Sequence, residues 1–285
     1  MRILKRKKGK EEYYYLQHSF RKNGKVITKE RYLGKVIPKN IEEIKTALLE
    51  ECLKDSLFKQ FKNIKDGFQK EWQKYPNSIK EKMEEQIAIA FTYNTNAIEG
   101  STITLEETRE LIEHKIAPNK PLRDIKETES HVKVFLDMLN KKEKFDNHLI
   151  LKWHKNLFQD TKLDIAGKFR DYLVSVGDYL APDWQDVEKL MKEFIEFYNK
   201  NEKMNAVELA ARMHYRFEMT HPFGDGNGRV GRIIMNYILW NNKYPMLIIE
   251  YKKRISYYKA LQKDENNFFN YFARRYLKAH KKYIK

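Results

Sequence analysis

The chain has 285 residues, 41% hydrophobic and 34% charged, which supports a sizeable core in one large domain or two smaller ones. A mean hydropathy of −0.77 and the lack of any apolar run of roughly 18 residues exclude a spanning helix, and the lone Cys52 excludes an intramolecular disulfide, which fits a reducing cytoplasm. The net charge of +16 sits at the two ends, +10 over residues 1–40 and +6 over residues 271–285, so the 230 residues between them are formally neutral.

No apolar stretch follows the charges of Met1-Arg-Ile-Leu-Lys-Arg-Lys-Lys, so no signal peptide is expected. Residues 11–37 read as strands. Tyr13-Tyr-Tyr-Leu16 and Val26 to Leu33 are rich in β-formers, and Asn23-Gly24 between them is a hairpin signal. The result is a small, basic, β-rich element over residues 1–38. Its charge could bind nucleic acid, an acidic partner or an anionic surface, or serve solubility alone, the plainer reading for the C-terminal tail. Apolar residues then recur at helical spacing over 40–75, until Pro76-Asn77-Ser78 breaks the run. Ser78 can cap a second helix toward residue 98. Thr104-Leu-Glu-Glu107 has the form of a capping box and opens a third. Pro118 and Pro121 mark a loop, and helices fit 126–141 and 146–159. Gly167, Gly177 and Pro182 bracket Phe169 to Val176, which alternates like a short hairpin. Helices resume over 184–200, 205–220, 227–241 and 254–280. The expected fold is mainly α, with one inserted hairpin and a β-rich N-terminal piece. Its segments are 1–38, helices over 39–103, and a helical domain over 104–285.

The most informative stretch is His221-Pro-Phe-Gly-Asp-Gly-Asn-Gly-Arg-Val-Gly-Arg232, between two helices. Gly224, Gly226 and Gly228 let the backbone take positive φ and approach a ligand, and successive N–H groups there form an anion nest. The following helix directs its N-terminus at the same point. Arg229 and Arg232, three apart, share a face and suit a polyphosphate. Asp225, a carboxylate among phosphate-binding groups, suits Mg²⁺ whose other ligands come from the phosphates. His221 at the mouth of the loop can act as a base near neutral pH.

This stretch resembles the signature of the Fic family, His-x-Phe-x-(Asp/Glu)-Gly-Asn-Gly-Arg-x-x-Arg. Every defined position matches, at His221, Phe223, Asp225, Gly226, Asn227, Gly228, Arg229 and Arg232. The resemblance extends over residues 80–280 and leaves out 1–40. It implies a Fic-type helical fold and an adenylyltransferase that moves AMP from ATP to a Ser, Thr or Tyr hydroxyl of a protein. His221 would be the base and Asp225 the Mg²⁺ ligand. Asn227 and the Gly226–Gly228 backbone would cradle phosphate, with Arg229 and Arg232 on the β- and γ-phosphates. The hairpin around Val174, Ser175 and Val176 would be the flap that holds the target by strand pairing. Asp164 and Arg170 are candidates to orient it.

Thr95-Asn-Ala-Ile-Glu99-Gly100 resembles the family's inhibitory motif, with Thr95 and Glu99 one helical turn apart. Glu99 would pair with Arg232 and keep it from the γ-phosphate. Tyr257, Tyr258 and Leu261 lie where the family's adenine pocket is lined, though helix packing explains them equally well. His154 and His214 read as structural, and no Cys/His cluster points to zinc. Other readings are a Fic-type transferase with another nucleotide or phosphate-linked donor, and a nucleic-acid-associated adaptor acting through the basic N-terminus. The resemblance leaves room for a homodimer and for removal of AMP as well as its addition.

Overall fold

The computed structural model describes residues 1–22, 25–177 and 179–284, and the Asn23-Gly24 turn lies outside them. The chain divides into two compact units, Met1–Asn63 and Ile64–Lys285.

The first unit is an antiparallel meander of β1 (Arg2–Lys8), β2 (Glu11–Lys22) and β3 (Lys25–Gly34), with the first part of helix α1 (Ile41–Trp72). Alternation sends Leu16 and Leu33 to one face of the sheet, where they form a core with Leu48 and Cys52 of α1. Tyr14, Ile41 and Ile44 pack around it. Strand β1 has no counterpart among the expected strands. Its residues carry cations on both faces, so the apolar alternation that marks a strand is hidden. Its order comes from pairing with β2, from Arg2 opposite Gln17 to Lys8 opposite Glu11.

The second unit is helical. It contains α2 (Asn77–Ile98), α3 (Leu105–Glu113), α4 (Leu122–Asn140), α5 (Asn147–Phe158), α6 (Val187–Lys200), α7 (Ala206–Thr220), α8 (Asn227–Asn241), α9 (Arg254–Leu261) and α10 (Glu265–Ala279). A two-residue ladder, β4 (Ser175–Val176) with β5 (Tyr179–Leu180), interrupts them. Helix α8 is the axis of the unit and packs on α7, α4, α2 and α5. Val230, Ile233, Ile234, Ile238 and Leu239 are all fully buried, the pattern of a helix surrounded by others. Its polar first turn is thereby fixed in a rigid frame.

The capping box of α3 forms in both directions: Thr104 Oγ1 accepts from the Glu107 N–H at 3.1 Å, and Glu107 accepts from the Thr104 N–H at 2.8 Å. The expected Ser78 cap does not form, because α2 starts two residues earlier, with Pro76 at the N-cap position, and the Pro76 carbonyl receives the N–H groups of Ile79 and Lys80. The single helix expected over 254–280 is two, since Asp264 accepts from the Asn267 N–H at 2.9 Å and starts a new one. Among the described residues no helix is long and apolar enough to cross a membrane.

Candidate active site

The loop between α7 and α8 is held by its own side chains. His221 ends α7 in the left-handed region, with φ 48° and ψ 57°, a conformation uncommon for a residue with a Cβ. It turns the chain sharply away from the helix axis. Two residues on, the Phe223 ring is fully buried and stacks on His154, with ring centroids 3.8 Å apart. His154 in turn bonds the Asp225 carbonyl through Nε2 at 3.0 Å and receives the Gly167 N–H at Nδ1 at 2.9 Å. Those two partners fix the neutral Nε2–H tautomer, and burial pushes the pKa of this histidine down to about 4. His154 is structural, as read from the sequence. His214 is too: it is fully buried, its pKa is pushed down to about 3, and it bonds the Tyr257 hydroxyl at 2.8 Å.

Asn227 is tied to the loop by its side chain. Its side chain receives the Phe223 N–H at 2.9 Å and donates to the Phe223 carbonyl at 2.8 Å, and it is only 2% exposed. Both ends of the amide are engaged by the loop, so the side chain is a brace and only the backbone N–H faces a phosphate role. That N–H belongs to the first turn of α8, whose leading donors have no intrahelical acceptor. Gly226, at φ 81°, opens the turn, and a Cβ there would overlap the Phe158 ring.

Arg229 is engaged by acidic neighbours. Its guanidinium is buried, lies 4.5 Å over the Phe158 ring and is ion-paired to Glu127 of α4. It reaches Asp225 at 3.5 Å. A guanidinium so engaged braces the acidic side of the loop, and it also lines the polar cleft beside Asp225. Glu127 also meets Lys162 at 3.4 Å and Arg123 at 3.1 Å. Lys162 is ion-paired to Asp225 as well. Burial works against ionisation of Asp225, but Arg229 and Lys162 outweigh it and hold the carboxyl below its usual range. This carboxylate already attracts a cation, and it borders a polar cleft of about 260 Å³ that also takes in Glu99, Ser101 and Arg123. A single carboxylate beside phosphate-binding donors fits Mg²⁺ that draws its remaining ligands from a nucleotide. No group of three or more His, Cys, Asp or Glu among the described residues forms a separate metal cage.

The predicted brake residues come together. Arg232 is 1% exposed, and its Nη2 donates to Glu99 Oε1 at 2.5 Å while its Nε donates to Thr95 Oγ1 at 2.8 Å. Glu99 caps the C-terminus of α2 and Gly100 follows at φ 95°, which turns the chain past the loop. A Cβ on Gly228 would overlap the Glu99 carboxylate, so that glycine gives the carboxylate its way in. Burial disfavours the charge of Arg232, but Glu99 more than compensates and its pKa is raised. Glu218 of α7, which no motif pointed to, lies beside this pair. Burial pushes its pKa up to about 8, Arg232 opposes the shift and Glu99 adds to it.

Burial lowers the pKa of His221, with Arg170 contributing. The imidazole is therefore neutral at pH 7. Its Nδ1 lies 3.3 Å from the Glu218 carbonyl, which can only accept, so Nε2 is the basic nitrogen. Arg170 is the anchor of the flap. Its guanidinium donates to the His221 carbonyl at 2.8 Å, the Tyr172 carbonyl at 2.9 Å and the Pro182 carbonyl at 2.6 Å. The ladder is shorter than expected, confined to Ser175 opposite Leu180 and Val176 opposite Tyr179, with Val174 joined through its carbonyl to the Ala181 N–H at 3.0 Å. Val176 and Leu180 are exposed. Of the residues expected at the adenine pocket, Tyr257 is 1% exposed and turned inward onto His214, so its ring packs the core. Leu261 is buried likewise. Tyr258 is 40% exposed and its hydroxyl donates to the Ile98 carbonyl at 3.2 Å.

Residues 144–239 match the Fic/DOC family. The chain is 33% identical over 189 residues to a protein of Nematostella vectensis named protein adenylyltransferase Fic, an alignment that covers 64% of this chain and 44% of the relative. Among solved structures it is similar to Fic-1 of C. elegans, with 25% identity and a TM-score of 0.70 over 87% of this chain and 77% of the other. A Fic domain containing signaling protein from Bacteroides thetaiotaomicron shares the fold, with 23% identity and a TM-score of 0.68 over 78% of this chain and 97% of that one. The chain spans less than half the length of the curated relatives it matches.

Proposed function

We propose that this chain transfers the AMP group of ATP to a Ser, Thr or Tyr hydroxyl of a protein, and that Glu99 restrains it. The observation that carries the reading is the convergence of neutral His221, anionic Asp225 and the open first turn of α8 on one loop. The relatives named protein adenylyltransferase support it. A target segment would pair with the flap edge at Val174, Ser175 and Val176 and present its hydroxyl to His221. The hydroxyl oxygen attacks the α-phosphorus as its proton passes to Nε2 of His221. The bond from that phosphorus to the bridging oxygen breaks, and pyrophosphate leaves. The Asn227 and Gly228 N–H groups would donate to phosphate oxygens, while the Gly226 N–H donates to Asp225 Oδ1 in the resting chain. Asp225 would hold Mg²⁺, which neutralises phosphate charge when bound. Arg232, once released by Glu99, would turn to the terminal phosphate, and Tyr258 would line the place of the base.

The test is transfer of label from α-labelled ATP in Mg²⁺, with self-modification as readout, in the Glu99→Gly chain and in the same chain carrying His221→Ala. Label in the first and none in the second is the expected result. Equal labelling of both would remove His221 from the base role, and no label in either, with ATP bound, would overturn the donor assignment.

A further inference from the structure

The β-sheet of the first unit has two chemically different faces. The inner one carries Leu16 and Leu33 onto the core, and its cations are answered there: Lys29 and Arg31 pair with Glu51 at 2.9 Å and 2.8 Å, and Lys29 also with Asp55 at 2.5 Å. Among the described residues of this unit no helix covers the outer face, which gathers aromatic rings. Tyr15 of β2 sits opposite Tyr32 of β3, with ring centroids 5.3 Å apart, and Tyr13 lies 6.1 Å from Tyr32. Arg6 of β1 lies over the Tyr15 ring at 4.7 Å, and Lys35 stands 6.0 Å from Tyr13. Tyr32 is 55% exposed, unusual for a tyrosine on a strand with a core of its own nearby.

A cluster of tilted rings on a flat sheet, flanked by arginine and lysine, is chemically unlike a merely solvated face. Rings on successive strands offer π-surfaces that any base can stack on, and the cations offer partners for the backbone that joins the bases. Glu30 and Glu11 pair with Arg6 and Lys35 at 2.7 Å and 2.5 Å, and these exposed pairs are weak enough for phosphate to displace. The surrounding charge agrees: residues 1–40 carry +10, while residues 41–270 are neutral. We propose that the outer face of β1–β3 is a binding platform for single-stranded nucleic acid, with bases stacked on Tyr15 and Tyr32 and phosphates met by Arg6 and its basic neighbours. An acidic peptide would use the same charge but leave the rings idle, and a duplex hides its bases from them, so the rings favour a single strand.

The proposal is independent of AMP transfer. It is tested on the full chain by fluorescence anisotropy with a labelled twelve-nucleotide oligo(dT), the matching oligo(U), a hairpin duplex and a polyglutamate peptide. A single strand should bind, with affinity falling steeply as salt rises. Tyr15→Leu and Tyr32→Leu, which keep apolar bulk on the strands, should each weaken binding at least about fivefold, and the Phe replacements should restore it. Arg6→Gln should flatten the plot of log Kd against log salt by about 0.7. Circular dichroism confirms that each variant keeps its fold. Absence of binding at low salt overturns the proposal. So does a Kd unchanged in both Leu variants, or duplex or polyglutamate bound as tightly as the single strand.

Discussion

Replacing Glu99 by Gly should release Arg232, and the geometry sets the size of the effect. The 2.5 Å bond joins two charged groups, one on an arginine 1% exposed. A hydrogen bond to a charged group contributes about 1.5–3 kcal/mol net. If that contact holds Arg232 away from ATP, the competent fraction of the resting chain is reduced by the same free energy, and its loss raises the transfer rate about 10- to 150-fold. The same change should lower stability, because the buried guanidinium loses its closest carboxylate and keeps the Thr95 contacts and its neighbours Glu218 and Tyr257. Removing Glu99 also removes a charge that raises the pKa of Glu218, so Glu218 should ionise more readily and offset part of the loss. Label transfer from α-labelled ATP measures the rate, and thermal melting with and without ATP measures the rest. A transfer rate equal to wild type, in a folded chain that binds ATP, would refute the argument. Glu99→Gln, which keeps the shape and removes the charge, should fall between the two.

Four further outcomes follow from the same site. Lys162→Met in the Glu99→Gly chain should lower the Mg²⁺ concentration for half-maximal transfer about two- to fivefold, since the ion pair with the partly exposed Asp225 contributes only about 0.5–1 kcal/mol; Mn²⁺ binding followed by electron paramagnetic resonance in the presence of ATP gives a readout apart from turnover. The acidic limb of the rate profile should have its midpoint below 6.5, because burial lowers the pKa of His221 and the base works only when neutral; a midpoint above 7 would count against it. Asn227→Ala should leave two buried backbone groups of Phe223 unpaired, costing about 2–4 kcal/mol and lowering Tm by on the order of 10 °C. Glu218 has a folded pKa of about 8, above its unfolded value of 4.5, so its contribution to stability is complete below pH 4.5 and is lost as pH rises through 8. Glu218→Gln should flatten the stability profile over that window, and denaturant titrations at pH 5 and pH 8.5 that differ by as much as in wild type would contradict this.

What could be read in advance was what is local in the chain. The loop from His221 to Arg232 is contiguous, so its glycines, base and cations announce themselves at fixed spacing. Thr95 and Glu99 are one turn apart on α2, and their meeting with Arg232 needed only the motif. The partners that fix the loop lie far along the chain: Glu127 is 102 residues from Arg229, and Lys162 is 63 from Asp225. Neither has a spacing that could mark it, and a lone glutamate in an amphipathic helix reads as surface. Asn227 and Arg229 were legible as important, but the bonds of their side chains were not, because a motif gives the residue and not the direction of its side chain. Of the two adjacent tyrosines on a short helix, Tyr257 is the one turned inward onto His214 of α7. Strand β1 was hidden because lysine and arginine occupy both of its faces.

Arg170 grips three carbonyl oxygens, on the flap at Tyr172, at its far end at Pro182, and on His221 itself. If the proposed function holds, recognition of a target and placement of the base would be mechanically linked. A peptide that seats badly along the hairpin would pull on the same guanidinium that holds the His221 backbone carbonyl. Poor targets of such an enzyme should therefore be slow when bound, losing kcat along with affinity. Selectivity would lie in turnover as much as in capture, which lets a small and exposed hairpin discriminate among partners that it holds only briefly.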